Sequence, residues 1–158
     1  MNLTVIPLTS EKKDGKFSFF NELKKIIKNS KVVIKKGDVL VISSKFISNS
    51  QGRILSIEKS KVCEKSRNIA KKFNSNEKFM EIVYRESDEI IGGVAGFVMA
   101  TTNGILAPNA GIDKSNSKGT KIILYPKEPY KFAEELKRKI FLGFNLHVGI
   151  IIVDSRLM

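Results

Sequence analysis

Two aspartates are placed where side-chain chemistry is plausible. Asp113 follows Ile112 and comes shortly before Ser115 and Asn116, and Asp154 ends the apolar run Val148 to Val153 and precedes Ser155. A carboxylate beside hydroxyl or amide oxygens is a hard donor set suited to Mg²⁺ or Mn²⁺, which bind through one or two carboxylates plus substrate phosphates. If the two segment ends meet, they form such a site. Spacing alone leaves an alternative open, because aspartates after strands also begin turns and cap helices. The polar run Ser43-Ser44-Lys45, which ends the apolar segment Val39 to Ile42, is a third place to bind something.

Other chemistries lack their residues. Lys118-Gly119-Thr120 has no upstream glycine at phosphate-loop spacing, and Gly92-Gly93-Val94-Ala95-Gly96 is not a dinucleotide fingerprint. His147 opens an apolar strand, and no serine sits in a nucleophile-elbow context, so a structural histidine is expected. A lone Cys63 supports neither an intrachain disulfide nor a cysteine-based metal site, and points to a reducing compartment. No export signal opens the chain and no apolar run approaches the roughly 20 residues of a membrane span. The expectation is a cytoplasmic protein.

The chain has 158 residues, one domain's worth, and 28 basic against 16 acidic side chains give a formal charge of +12. Its 42% hydrophobic content is enough for a core. The charge raises a second function class, a non-catalytic basic module that binds RNA or an acidic partner through Lys12 to Lys36 and Lys59 to Lys72. Composition argues against it. The basic residues are mostly lysine, with arginine only at Arg53, Arg67, Arg85, Arg138 and Arg156, and the lysine clusters fall on the wet faces of amphipathic patterns.

The elements that must position these residues follow from periodicity. Asn2 to Pro7 reads as an opening strand, and Phe17 to Lys28 as a helix with Phe19, Phe20, Leu23, Ile26 and Ile27 on one face. Val39 to Ile42 is a strand, and Phe46 to Ile57 reads as a second extended segment interrupted at Asn49 to Gly52. Lys59 to Phe73 and Glu77 to Ser87 predict two helices. The glycines at 92, 93 and 96 mark a turn entering a strand. Asn103-Gly104 predicts a hairpin that pairs Phe97 to Thr102 with Ile105 to Ala107. Lys121 to Leu124 is a short strand, Tyr130 to Leu142 a helix stopped at Gly143, and His147 to Val153 a buried strand. Without a regular βαβ alternation, a mixed α and β fold is expected rather than a doubly wound sheet.

The stretch Asn109-Ala110-Gly111-Ile112-Asp113-Lys114-Ser115-Asn116 closely resembles the NAGID-x-SN signature of the coenzyme F420-0:L-glutamate ligases, the F420 γ-glutamyl ligases. Three further stretches agree in order: Gly37 to Val41 leading to Ser44-Lys45 and Gly52-Arg53, Arg85-Glu86-Ser87, and Val148 to Ser155. The resemblance implies an α+β fold with a mixed, largely antiparallel sheet and flanking helices. It implies a GTP-dependent ligase that needs Mg²⁺ or Mn²⁺ and joins L-glutamate to the coenzyme F420 precursor through an acyl phosphate. Carried over by motif, Asp113, Asp154 and Ser155 would hold the metal, and Ser44, Lys45, Asn49 and Asn116 the nucleotide.

The resemblance is not uniform. Asn49 stands where the family commonly has a lysine and Gln51 where it has an acid, so Lys45, Lys114 or Arg53 would have to supply the missing positive charge. Thr9 to Asp14 replaces a Gly-Ile/Leu-Pro segment, and no role is carried over there. The family continues beyond the Asp-Ser/Thr position, so residues 1–158 correspond to a single domain equivalent to its N-terminal portion, with the C-terminal portion absent. The implied partners are GTP, L-glutamate, the coenzyme F420 precursor and a second polypeptide, either another copy in a homodimer or a separate C-terminal half. Neither a membrane nor nucleic acid is among them.

Overall fold

The computed structural model describes residues 3–11, 13, 15–114 and 121–154. The element order is α1 (Phe19–Ser30), β1 (Val39–Ser43), α2 (Ser44–Gln51), β2 (Ile54–Ser56), α3 (Glu64–Lys72), α4 (Glu77–Glu86), β3 (Glu89–Val94), β4 (Phe97–Thr102), β5 (Ile105–Pro108), β6 (Lys121–Ile123), α5 (Pro129–Phe144) and β7 (Gly149–Val153). The strands pair as β3-β4-β5 and β2-β6, both antiparallel, and as β1-β7, parallel. The mixed α+β fold with largely antiparallel pairing agrees with the sequence.

Two apolar clusters hold the elements. One gathers Phe79, Met80 and Val83 of α4 with Val98 and Ala100 of β4 and Ile122 of β6. The other gathers Phe19 and Leu23 of α1, Ile42 of β1, Ile47 of α2 and Leu136 and Ile140 of α5. Asn76 starts α4 because its side chain accepts the Phe79 N–H at 2.9 Å, which satisfies one of the orphan donors of the first turn. Asn103 and Gly104 both have positive φ, 51° and 71°, and join β4 to β5 in the expected hairpin.

The structure corrects several elements. Phe46 to Gln51 is helical rather than extended, and only Ile54–Ser56 forms a strand. Helix propensity in this stretch is weak, but the helical period places Ile47 fully inside the α1/α5 cluster, and burying such a side chain contributes about 2 kcal/mol. Residues 3–7 form no strand. Leu3 and Val5 are more than four-fifths exposed, with no neighbouring strand beside them among the described residues. Helix α5 runs through Gly143, against which the ring of Phe20 packs, and ends at Asn145 with φ 54°. The last strand begins at Gly149, and one face of it is open, Ile151 being 49% exposed.

Candidate functional site

Parallel pairing puts the ends of β1 and β7 side by side. Ser43 is in register with Val153, so the next residues of each chain segment, Ser44 and Asp154, leave the sheet together. The Ser44 hydroxyl donates to Asp154 Oδ1 at 3.2 Å. No loop separates β1 from α2, so Ser44 and Lys45 are the first residues of the helix, and Ser43 makes no side-chain cap. Backbone N–H groups of this first turn and the positive end of the helix dipole favour anions there.

Asp113 reaches the same dipeptide from another part of the chain. After β5 the chain makes a left-handed turn through Asn109 (φ 47°), Ala110 (φ 54°) and Gly111 (φ 68°). Each residue type fits its position. Asn109 tolerates the left-handed region, and its Oδ1 accepts the Val98 N–H at 3.0 Å. Ala110 is small enough to be completely buried, and a methyl group at Gly111 would overlap the ring of Tyr125. Asp113 then pairs with Ile123, its N–H donating at 2.8 Å and its carbonyl accepting at 2.9 Å, which fixes its backbone beside β6. From there its Oδ2 lies 2.5 Å from Lys45 Nζ. Both carboxylates therefore contact one dipeptide, Ser44-Lys45, at the start of α2.

Sequence reasoning missed Tyr125. It is buried, its ring packs beneath Gly111, and its phenol is pushed above the usual tyrosine range, first by burial and then by the negative charge of Asp154. Tyr125 thus links the segments that carry the two aspartates. A lone tyrosine after an apolar strand gives no signal of this role in the sequence.

The residues singled out as compensating cations have separate positions. Arg53 Nε donates to the Tyr125 carbonyl at 2.6 Å, and its Nη2 pairs with Glu86, so it braces the segment after β6 against the end of α4. Lys114 Nζ sits 3.2 Å from the ring centroid of Phe79. Lys45 Nζ reaches the Asp113 carboxylate. Gln51 brackets the backbone of Lys127, donating from Nε2 to its carbonyl and accepting its N–H, at 3.1 and 2.8 Å. Asn49 lies one turn after Lys45, and its Oδ1 is buried with no hydrogen-bond partner among the described residues. Asn116 and Ser155 lie outside the described residues. His147 stacks on Phe141 at 4.6 Å, the structural role expected of it.

Among the described residues no three carboxylate, histidine or cysteine side chains cluster as a ready-made metal cage. Asp113 and Asp154 are hard carboxylates, each contacting one residue of the Ser44-Lys45 dipeptide, and are of the donor type that could hold a divalent cation completing its shell with substrate oxygens and water.

Fold and site define a mixed α+β protein in which a helix start is contacted by two carboxylates, and comparison with known proteins assigns it further. Residues 10–158 match the sequence model of the family described as F420-0:Gamma-glutamyl ligase, and the chain belongs to that family. It is 34% identical over 127 residues to the coenzyme F420:L-glutamate ligase of Archaeoglobus fulgidus, a match covering 80% of this chain and 51% of that protein. It is 25% identical over 157 residues to the protein of the same name from Methanopyrus kandleri, covering 99% and 60%. Against that of Methanocaldococcus jannaschii it is 32% identical over 124 residues, covering 77% and 49%. The chain thus spans about half the length of most of these relatives. No helix of the described residues is long and apolar enough to cross a membrane.

Proposed function

We propose that this chain supplies the metal- and nucleotide-holding portion of a cytoplasmic, GTP-dependent ligase that joins L-glutamate to the coenzyme F420 precursor. The observation that carries this reading is the convergence of Asp113 and Asp154 on Ser44-Lys45 at an uncapped helix start. Family membership and the names of the relatives support the choice of substrates.

In this reading the precursor carboxylate attacks the γ-phosphorus of GTP, GDP leaves, and an acyl phosphate forms. The glutamate amine then attacks the acyl carbon, inorganic phosphate leaves, and the amide bond remains. Phosphoryl transfer of this kind mainly requires positioning and charge neutralisation. Bound Mg²⁺ or Mn²⁺ would supply charge neutralisation during the transfer. Asp113 and Asp154, with Ser155, would hold the metal; the first-turn N–H groups of α2, Ser44 and Lys45 would face the phosphates; Asn49 and Asn116 would contact the nucleotide.

We also propose that the working protein includes a second polypeptide, another copy or a separate C-terminal half. Parallel sheets are normally covered on both faces. Here Val39 and Val41 of β1 and Ile151 and Val153 of β7 form an open apolar face, Val41 being 61% exposed.

The test is fluorescence titration of the purified chain with a ribose-labelled GTP, with Mn²⁺ or with a chelator. Binding that requires Mn²⁺ and is competed by unlabelled GTP is the expected result. A folded chain that ignores the nucleotide under both conditions contradicts the assignment.

A further inference from the structure

Most of the chain's net positive charge lies in two segments that wall an apolar cavity away from the aspartates. Ile27 near the end of α1, Val33 and Ile34 of the segment that follows it, Ile140 and Phe144 of α5, and Leu146 enclose about 250 Å³, and no polar side chain lines the space among the described residues. Val33 is 76% exposed and Phe144 38%, so the cavity opens to solvent. Residues 24–37 carry six lysines, and residues 136–149 carry Lys137, Arg138 and Lys139, with no aspartate or glutamate in either segment. Nine of the chain's formal +12 charges are therefore carried by the walls of one cavity. Lys137 pairs with Glu134 at 3.4 Å, and the other eight make no ion pair among the described residues. Lys28, Lys31 and Lys35 are exposed and adjoin the cavity residues Ile27, Val32 and Ile34 in sequence.

Whatever covers such a face must bring an apolar group to fill the hollow and negative charge to meet the lysines. We propose that it docks an acidic protein segment, an amphipathic helix that lays an apolar side chain into the cavity and carries aspartate and glutamate on its flanks. The cavity is smaller than the roughly 300 to 1,000 Å³ of a small-molecule site, so it suits one side chain better than a cofactor. Its walls are aliphatic apart from Phe144, which gives nucleobases neither a hydrogen-bonding group nor a stacking platform. A lipid surface is engaged by protruding apolar side chains, whereas this face is a hollow. None of these residues belongs to the Asp113 and Asp154 site, so the docking face and the ligase reading stand or fall separately.

The experiment is a fluorescence-anisotropy titration of the purified chain with a labelled synthetic helix that carries leucine along one face and glutamate on the others. A version with serine in place of leucine, an RNA oligonucleotide and phosphatidylglycerol vesicles are titrated beside it. Saturable binding of the leucine–glutamate helix is expected, weakened about tenfold by the serine replacement and about tenfold by high salt. Val33→Glu and the double variant Lys28→Glu/Lys31→Glu change exposed side chains, and each is expected to weaken binding about tenfold while circular dichroism stays unchanged. In the wild type the helix should move the amide resonances of Val33, Ile34 and Leu146, a readout that needs no variant to fold. Absence of saturable binding, equal binding of the serine version, indifference to Val33→Glu, or resonance shifts confined to other residues overturns the proposal. Tighter binding of RNA or of the vesicles through the same residues also overturns it, by giving the face to nucleic acid or lipid.

Discussion

Ser44 and Asp154 are separated by 110 positions in sequence, yet the Ser44 hydroxyl donates to the Asp154 carboxylate because the strands before them, β1 and β7, pair in parallel and in register to their last residues. One slip of that register would turn Asp154 to the opposite face of the sheet. Replacing Ser44 by alanine removes the hydrogen bond without disturbing the strands, so Ser44→Ala is expected to lower stability by only about 1 kcal/mol in urea denaturation. Its larger expected effect is on Mn²⁺ affinity, as the carboxylate loses its orientation. A variant with unchanged Mn²⁺ binding would show that Ser44 does not orient Asp154.

The left-handed turn that presents Asp113 is a second point of sensitivity. Gly111→Ala combines a positive φ with overlap against Tyr125, and is expected to cost about 2 to 4 kcal/mol in the same measurement. Asn109→Ala loses both its tolerance of this backbone and its bond to Val98, and should cost about 1 to 2 kcal/mol. Wild-type stability in Gly111→Ala would contradict the packing of Tyr125 beneath the turn.

Away from the site, Glu81 ties α4 to the start of α3. Its buried carboxylate accepts from the Ser66 hydroxyl at 2.6 Å, from the Cys63 N–H at 2.8 Å and from Arg85 Nε at 2.5 Å. The Ser66 hydrogen bond, opposed by burial and assisted by the bonds from Cys63 and Arg85, lowers its pKa from 4.5 to about 2. A depressed carboxylate pKa stabilises the fold above the unfolded value and stops doing so as pH falls through the folded one. The contribution should be complete above pH 4.5 and disappear toward pH 2. Urea midpoints of the wild type and Glu81→Gln across pH 2 to 7 would converge at the acid end; a constant gap would contradict this.

The open valine and isoleucine face of β1 and β7 bears on assembly. Sedimentation equilibrium of this chain is expected to show association that Val41→Lys abolishes while its circular dichroism stays unchanged, because Val41 contributes little to the interior. A monomer at all concentrations would rule out the homodimer.

Much of the fold was legible because its signals are local. The apolar stripe of α1, the helix from Glu77 and the Asn103-Gly104 turn depend on neighbours within one or two turns of chain, and all appear where the sequence places them. Helix α2 was not legible: Phe46 to Gln51 carries serine, asparagine and isoleucine, and only burial of Ile47 against α1 and α5 decides for the helix. The opening strand failed for the converse reason, since residues 3–7 have β-type composition and no partner strand beside them. In the site, the aspartates stood out by residue type and motif. What brings them to one dipeptide is the register of β1 with β7 and the bridge from Asp113 to Ile123, both long-range, and Tyr125 and the Arg53–Glu86 brace appear only once those pairings exist.

Calorimetric titration of Mn²⁺ with GTP into the wild type, Asp113→Asn and Asp154→Asn decides whether the two aspartates jointly hold a metal that serves a nucleotide. Mn²⁺-dependent GTP binding is expected in the wild type and is expected to be lost in both variants while they remain folded. Binding that survives in either variant, or a folded wild type that binds neither Mn²⁺ nor GTP, would contradict it.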